Sequence, residues 1–345
     1  MIRTQADDPP FRPAILARGP HAQTLLGKAL RRPPPVPVVG ERWDTPDGDE
    51  VRVDLGPGAD EARLPLALVL HGLEGSSERA YVRLLMAALL ERGVATVALN
   101  FRGCGGPPNR LPRAYHSGDS EELAWVVDRI RARWPDRPLG AAGFSLGGNV
   151  LLKYLGERGT GTPLSAAAVA SVPFDLDAAE RHIDGPGVHR LYRRYFLASL
   201  KAKVAAKAHL LDASLVARVR RARSLRAFDD LVTAPLHGFR DATDYYRRSS
   251  ALGFVGGVRL PTLVVQAADD PFLPLPAPPA DLRTNPALSL SWTRRGGHLG
   301  FLGGSLQRPH WWAEERMAIF LASSLGGSKS STPIGDRAGT PLPPG

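Results

Sequence analysis

Residues 139–158 read Leu-Gly-Ala-Ala-Gly-Phe-Ser-Leu-Gly-Gly-Asn-Val-Leu-Leu-Lys-Tyr-Leu-Gly-Glu-Arg. The first six, Leu139 to Phe144, are small and apolar without a polar break, as in a strand buried on both faces. Gly147 to Arg158 reads as the following helix. Between them Gly143-Phe-Ser-Leu-Gly147 matches G-x-S-x-G, which puts Ser145 on a sharp strand-to-helix turn. Glycine suits the flanks of such a turn because the backbone approaches other atoms closely there and a β-carbon would obstruct. The Ser145 hydroxyl would then stand at the N-terminus of the helix beginning near Leu146, where free amides and the helix dipole favour negative charge. The five-residue pattern alone is weak in a chain with 36 glycines. Its weight comes from the strand before it and the helix after it.

Working outward, the same alternation repeats. Val38 to Trp43 and Val51 to Leu55 flank Thr45-Pro-Asp-Gly48 and predict an antiparallel hairpin. Leu66 to Leu70 is a buried strand ending at His71-Gly72. Tyr81 to Arg92 is a helix stopped by Gly93, and Ala95 to Phe101 is a second buried strand. Ser120 to Arg133 is helical, with Ser120 as its N-cap and Leu123, Val126, Val127 and Ile130 on one face. Ala166 to Val172 is the strand after the quoted helix. This spacing predicts a mostly parallel sheet covered on both faces. From Pro173 to about Gly257 the pattern is helical and basic, with no strand, so it reads as a helical cap inserted into the sheet domain. The sheet resumes at Pro261 to Gln266 and Leu288 to Trp292, followed by a helix over 311–325. The expected organisation is an N-terminal extension over 1–35, an α/β domain over 36–325 with the cap at about 173–257, and a disordered Gly/Ser/Pro-rich tail over 326–345.

A serine needs a base to become nucleophilic, and on this architecture the order is serine, acid, histidine. Downstream lies Gln266-Ala-Ala-Asp-Asp-Pro271, directly after an apolar strand, so Asp269 and Asp270 are both candidate acids. Asp270 is preferred because it immediately precedes the turn proline at the loop entrance. Arg295-Gly-Gly-His-Leu-Gly300 follows another strand; a loop histidine among glycines can reach over the sheet edge toward Ser145, which makes His298 the candidate general base. Oxyanion donors are expected from the backbone amides of Leu146, after the nucleophile, and Leu73, in the loop after the first parallel strand. His71 is read as ordering that loop, and Cys104 as part of a glycine-rich loop beside the site.

These runs resemble the α/β-hydrolases, specifically the YheT-like hydrolases. The matching stretches are His71-Gly-Leu-Glu-Gly-Ser76, Asn100-Phe-Arg-Gly-Cys-Gly-Gly106, Tyr115-His-Ser-Gly-Asp119, Gly143-Phe-Ser-Leu-Gly-Gly-Asn149, Phe228-Asp-Asp230, Asp269-Asp-Pro-Phe272 and Gly296-Gly-His298. The resemblance as a whole extends from about Phe11 to Leu325, nearly the whole chain. The resemblance implies an α/β-hydrolase fold and a cytoplasmic serine esterase acting on short- or medium-chain acyl esters, with Ser145, Asp270 and His298 as triad and no cofactor or metal. A thioesterase or acyltransferase would use the same triad, and a non-catalytic binding protein on a hydrolase scaffold is the rival outside enzymes. The H-x-x-x-x-D acyltransferase pattern is missing, since five residues beyond His116 is Glu121.

Composition fits this class. Of 345 residues, 43% are hydrophobic and 23% charged, which excludes a wholly disordered chain. One cysteine cannot make an internal disulfide or a cysteine-cluster metal site. No apolar run reaches the roughly 18 residues that cross a bilayer, and Met1 to Pro10 lacks the apolar core of a signal peptide. A reduced, cytoplasmic protein with a small-molecule ester substrate is the expectation. Net charge is +10, and residues 181–250 hold +9 of it, with 15 Lys/Arg against 6 Asp/Glu. No nucleic-acid motif accompanies this charge, so no nucleic-acid partner is expected. The preferred reading is a solvated helix face, the sharper one a basic lid that steers anionic substrates or makes peripheral contact with anionic lipid. Tyr192, Tyr195 and Phe196 are its candidate pocket walls.

Overall fold

In a computed structural model that describes residues 10–61, 63–305 and 307–327, the apolar runs assemble into one eight-stranded sheet. Its strands are β1 (Val39–Asp44), β2 (Glu50–Leu55), β3 (Leu66–Leu70), β4 (Ala95–Asn100), β5 (Leu139–Phe144), β6 (Ala166–Ala170), β7 (Thr262–Ala267) and β8 (Leu288–Thr293). Their order is β1-β2-β4-β3-β5-β6-β7-β8. β1 and β2 form the antiparallel hairpin, β2 pairs antiparallel with β4, and all other neighbours are parallel. The chain steps from β3 out to β4, then back across β3 to β5. That reversal opens a crevice beyond the C-terminal ends of β3 and β5, the position where open α/β sheets bind ligands.

Helices cover both faces because the central strands are apolar on both. Leu66, Leu68 and Leu70 of β3 point to one side and pack with α3 (Ser120–Arg133) and α4 (Leu146–Arg158). Ala67 and Val69 point to the other and pack with α2 (Ala80–Leu90) and a C-terminal helix over Trp312–Leu325. Ser120 is the first helical residue of α3, not its cap; Asp119 holds the cap position, and the Ser120 hydroxyl accepts a 2.7 Å bond from Lys153 Nζ of α4.

N-terminal to β1 runs a helix, α1 (Pro20–Leu30), after a single 3₁₀ turn at Ile15–Ala17. Between β6 and β7 the described chain is helical: α5 (Leu176–Ile183), α6 (His189–Ala206), α7 (Ala213–Arg221), α8 (Leu225–Phe228), a π turn at Asp229–Thr233, α9 (Ala234–Leu236) and α10 (Ala242–Ser249). This excursion has its own apolar centre, in which Leu197 and Val204 of α6 meet Val216, Val219 and Phe228. Tyr192 then packs on Phe272 and Leu273 of the loop after β7. α11 (Ala280–Thr284) precedes β8, a small hairpin of β9 (Leu302–Gly304) and β10 (Pro309–Trp311) follows it, and α12 (Trp312–Leu325) is the C-terminal helix. Neither α1 nor this hairpin was evident in the sequence pattern. Most of the expected C-terminal tail, from 328 on, lies outside the described residues, as do residues 1–9.

Candidate active site

The crevice is built first by the β5–α4 turn. Ser145 has φ +50° and ψ −118°, a backbone region that costs a non-glycine residue free energy and turns the side chain out of the sheet edge. Its amide donates to Ala170 O at 2.8 Å, and its carbonyl accepts the helical bond from Asn149 at 3.1 Å. The amides of Leu146 to Gly148 thus precede the first helical bond and have no acceptor within α4. Gly147 is required by close approach, since a β-carbon there would lie 2.5 Å from His71 O.

Two loops on the same sheet edge meet this turn. After β7, Asp270 is buried; its Oδ1 accepts the Phe272 amide at 2.9 Å and its Oδ2 lies 2.8 Å from His298 Nδ1. His298 Nε2 lies 3.0 Å from Ser145 Oγ. With the carboxylate on Nδ1, the ring proton belongs there and the Nε2 lone pair faces the hydroxyl. The Phe272 ring covers the imidazole at a centroid distance of 4.4 Å. Asp269 points elsewhere: its Oδ1 accepts the Gly297 amide at 2.9 Å, tying the two loops together, and burial pushes its pKa up.

The histidine loop is held from behind by α1, which lies within the N-terminal extension expected over 1–35. Thr24 Oγ1 accepts the His298 amide at 2.9 Å, and Gln23 Oε1 accepts the Leu302 amide at 2.7 Å. Arg31 donates to Gly300 O at 3.2 Å and pairs with buried Glu314 at 2.8 Å. A β-carbon on Gly300 would lie 2.6 Å from the Gln23 backbone, so helix and loop fit only with glycine there. The available signal was Pro20 in a position suited to helix start, followed by good helix formers.

The loop after β3 carries Leu73, which lines the same cavity as Leu146 and Ser145. His71 is buried, donates through Nδ1 to Gly72 O at 2.7 Å and accepts the Phe101 amide on Nε2 at 3.2 Å. Burial pushes its pKa down to about 3, which keeps the ring neutral and structural. Glu74, next to Leu73, has φ +54°. Its amide donates to the Tyr115 hydroxyl at 2.7 Å, and its buried carboxylate accepts from that hydroxyl at 2.8 Å and from Lys203 Nζ of α6 at 2.8 Å. Ser199 of α6 donates to the same carboxylate. The cap is therefore tied to the loop beside Ser145 by an ion pair from half-buried Lys203 to buried Glu74, which no local sequence pattern announced. Lys203 also donates to Cys104 Sγ at 2.9 Å, and burial pushes the thiol pKa up. Removing one partner of such a pair strands a buried charge. Lys203→Met is expected to lower unfolding stability by about 3 kcal/mol, and Lys203→Met/Glu74→Gln to recover part of that loss, as read by denaturant unfolding.

A cavity of about 630 Å³ runs from Ser145 beneath the cap. Its walls include Tyr192, Tyr195 and Phe196 of α6, Leu25 and Lys28 of α1, and Leu176. Among the described residues one group has metal-ligand types close together, His116, Asp119 and His237, with one donor atom from each within 4.8 Å of the others. Both His237 ring nitrogens face carbonyls, Thr233 O at 2.8 Å and Ala114 O at 2.9 Å, so this group has a packing role already.

Comparison with known proteins agrees with this architecture. The family described as "alpha/beta hydrolase fold" matches residues 65–303. The chain is 38% identical over 309 residues to the Escherichia coli (strain K12) protein named "Putative esterase YheT", covering 88% of this chain and 91% of that one. It is 32% identical over 302 residues to human "Phospholipase ABHD3", covering 85% and 74%. Among solved structures, an esterase of Pyrococcus furiosus, Pf2001, superposes with a TM-score of 0.54 at 17% identity, covering 92% of this chain and all of that one, a likeness of fold. The sheet order, the serine turn and these matches together make the chain a member of the α/β-hydrolase family, a hydrolase of the esterase and lipase type related to YheT.

Proposed function

We propose that the chain cleaves short- to medium-chain carboxylic esters through an acyl-enzyme, with Ser145 as nucleophile, His298 as general base and then acid, and Asp270 as the group that orients the imidazole. The observation that carries this reading is the continuous line Asp270 Oδ2–His298 Nδ1, 2.8 Å, and His298 Nε2–Ser145 Oγ, 3.0 Å, with Ser145 and His298 lining a largely apolar cavity. Ser145 attacks the ester carbonyl as His298 takes its proton. The tetrahedral oxyanion is stabilised by the backbone amides of Leu146 and Leu73. His298 returns the proton to the leaving alcohol, and water repeats the sequence to release the acid. These residues need no metal or organic cofactor for the steps. The expected test result is covalent labelling of Ser145 by a fluorophosphonate, located by peptide mass spectrometry, together with turnover of aryl esters of graded acyl length. A label elsewhere, or no turnover at any length, overturns the reading.

The helical cap acts in this proposal as a lid. Tyr192, Tyr195 and Phe196 wall the acyl site and exclude water, while Lys28 and Arg79 set a positive field at its entrance, against Glu78 on the same rim. Such a field is screened over about 8 Å at physiological ionic strength. kcat/KM for an anionic ester is therefore expected to fall about tenfold between low and high salt, the low end for steered association, while a neutral ester of equal acyl length stays constant. Equal salt responses would remove the steering role of Lys28 and Arg79 and leave the cap as a steric lid.

A further inference from the structure

We propose that the cavity mouth is a docking face for an anionic lipid surface, formed by the 3₁₀ turn at 15–17, α1 and the N-terminal half of α6. The first observation is where exposed apolar residues gather. Of eight large exposed hydrophobic residues among those described, six lie in these segments or directly before one of them: Ile15, Leu16, Leu25, Val188, Leu191 and Tyr195. Ile15, at 75%, and Leu16, at 69%, are more exposed than the other six. The two helices are joined, since His21 Nδ1 lies 3.0 Å from the Tyr192 hydroxyl and Lys28 Nζ donates to the Tyr195 hydroxyl at 3.3 Å. Val188, Leu191 and Tyr195 recur at i, i+3 and i+7, one stripe of the helix surface. Scattered surface hydrophobics need no explanation, but a clustered set marks an interaction face.

The second observation is charge. Residues 10–40 hold five Lys/Arg and no Asp/Glu, and residues 185–211 hold six and none. Arg31, Lys203 and Lys207 are committed inside, but Arg18, Lys28, Arg32, Arg190 and Arg194 are exposed. Glu78 is an exposed carboxylate on the rim. Apolar side chains interleaved with cations match the boundary between acyl chains and anionic headgroups. A second copy of this chain would set like charges against each other.

The third observation chooses lipid over a protein partner. Leu25, Lys28, Val188, Leu191 and Tyr195 also line the cavity that leads to Ser145. A protein seated there would plug the entrance, whereas a lipid surface would feed it. An ester-bearing amphiphile could then pass from the bilayer into the cavity without exposing its acyl chain to water. That purpose rests on the proposed esterase activity; the docking itself is measurable without turnover.

The test is flotation of the full chain with vesicles of phosphatidylcholine alone or with 30% phosphatidylglycerol, at low and high salt. Two variants outside the cavity lining are compared, Leu16→Asp and Arg190→Glu/Arg194→Glu, with turnover of a water-soluble aryl ester as the fold control. Binding is expected only with phosphatidylglycerol, weakening with salt, and falling at least tenfold in both variants while turnover of the soluble ester is unchanged. Absence of vesicle binding, or binding by both variants equal to that of the parent chain, overturns the docking face. Self-association in place of vesicle binding, abolished by the variants, overturns it in favour of a second copy. Vesicle binding with the expected variant losses, in a chain that hydrolyses no ester, leaves the docking face standing and removes the esterase reading.

Discussion

Ser145→Ala is expected to reduce ester hydrolysis by a factor on the order of 10⁶ and to leave the fold intact. The size follows from the role proposed: without the hydroxyl there is no acyl-enzyme, and His298 and Asp270 have no nucleophile to serve. The fold is preserved because alanine keeps the β-carbon. The strained backbone at φ +50° is the same for both residues, and the bonds that shape the turn, from the Ser145 amide to Ala170 O and from Asn149 N to the Ser145 carbonyl, are backbone bonds. A glycine at 145 would be the poorer control, since it would also relieve that strain and change stability. Residual hydrolysis within tenfold of the parent, with an unchanged melting temperature, would remove Ser145 from the chemistry.

The sheet was legible because its central strands are buried on both faces and read as unbroken apolar runs bounded by turn residues. The residues that converge at the crevice could be named because each sits in a short local pattern at a strand end. Contacts across long sequence separations were not legible. Glu74 and Lys203 are unremarkable singly, and their pairing depends on how α6 lies over the β3 loop. Thr24 and Gln23 gain meaning only when α1 is packed behind the histidine loop. The hairpin of β9 and β10 has three residues per strand, with Gly303 and Gly304 in one and Pro309 in the other, too short and too irregular to show alternation. Charge along the sequence also differs from charge on the surface. Part of the basic excess over 181–250 is paired or turned inward, since Lys203 pairs with Glu74, buried Lys207 donates to Asn109 and to the carbonyls of Leu111 and Arg113, and Arg226 pairs with Asp177 and Glu180.

Sequence prefers Asp270 over Asp269 only by its place before the turn proline, because two neighbouring residues on one turn point in different directions that the fold decides. Their contacts differ in kind. Asp270 accepts from His298 Nδ1, so Asp270→Asn would present an amide nitrogen or oxygen where a carboxylate held the ring. With the carboxylate gone, the preference for a proton on Nδ1 is lost, along with the charge that stabilises the imidazolium formed during attack. A loss on the order of 10⁴ in kcat is expected, with the fold retained because asparagine can still accept the Phe272 amide. Asp269 holds the Gly297 amide and touches neither ring nor hydroxyl. Its asparagine variant keeps an oxygen for that bond, so a loss of about tenfold or less is expected, as for a group that acts only by placing a loop. Fluorophosphonate labelling separates the two variants independently of substrate choice: the labelling rate of Ser145 should fall steeply in Asp270→Asn and little in Asp269→Asn. The reverse ranking in both assays would transfer the orienting role to Asp269, and equal losses would mean that the two loops act as one unit.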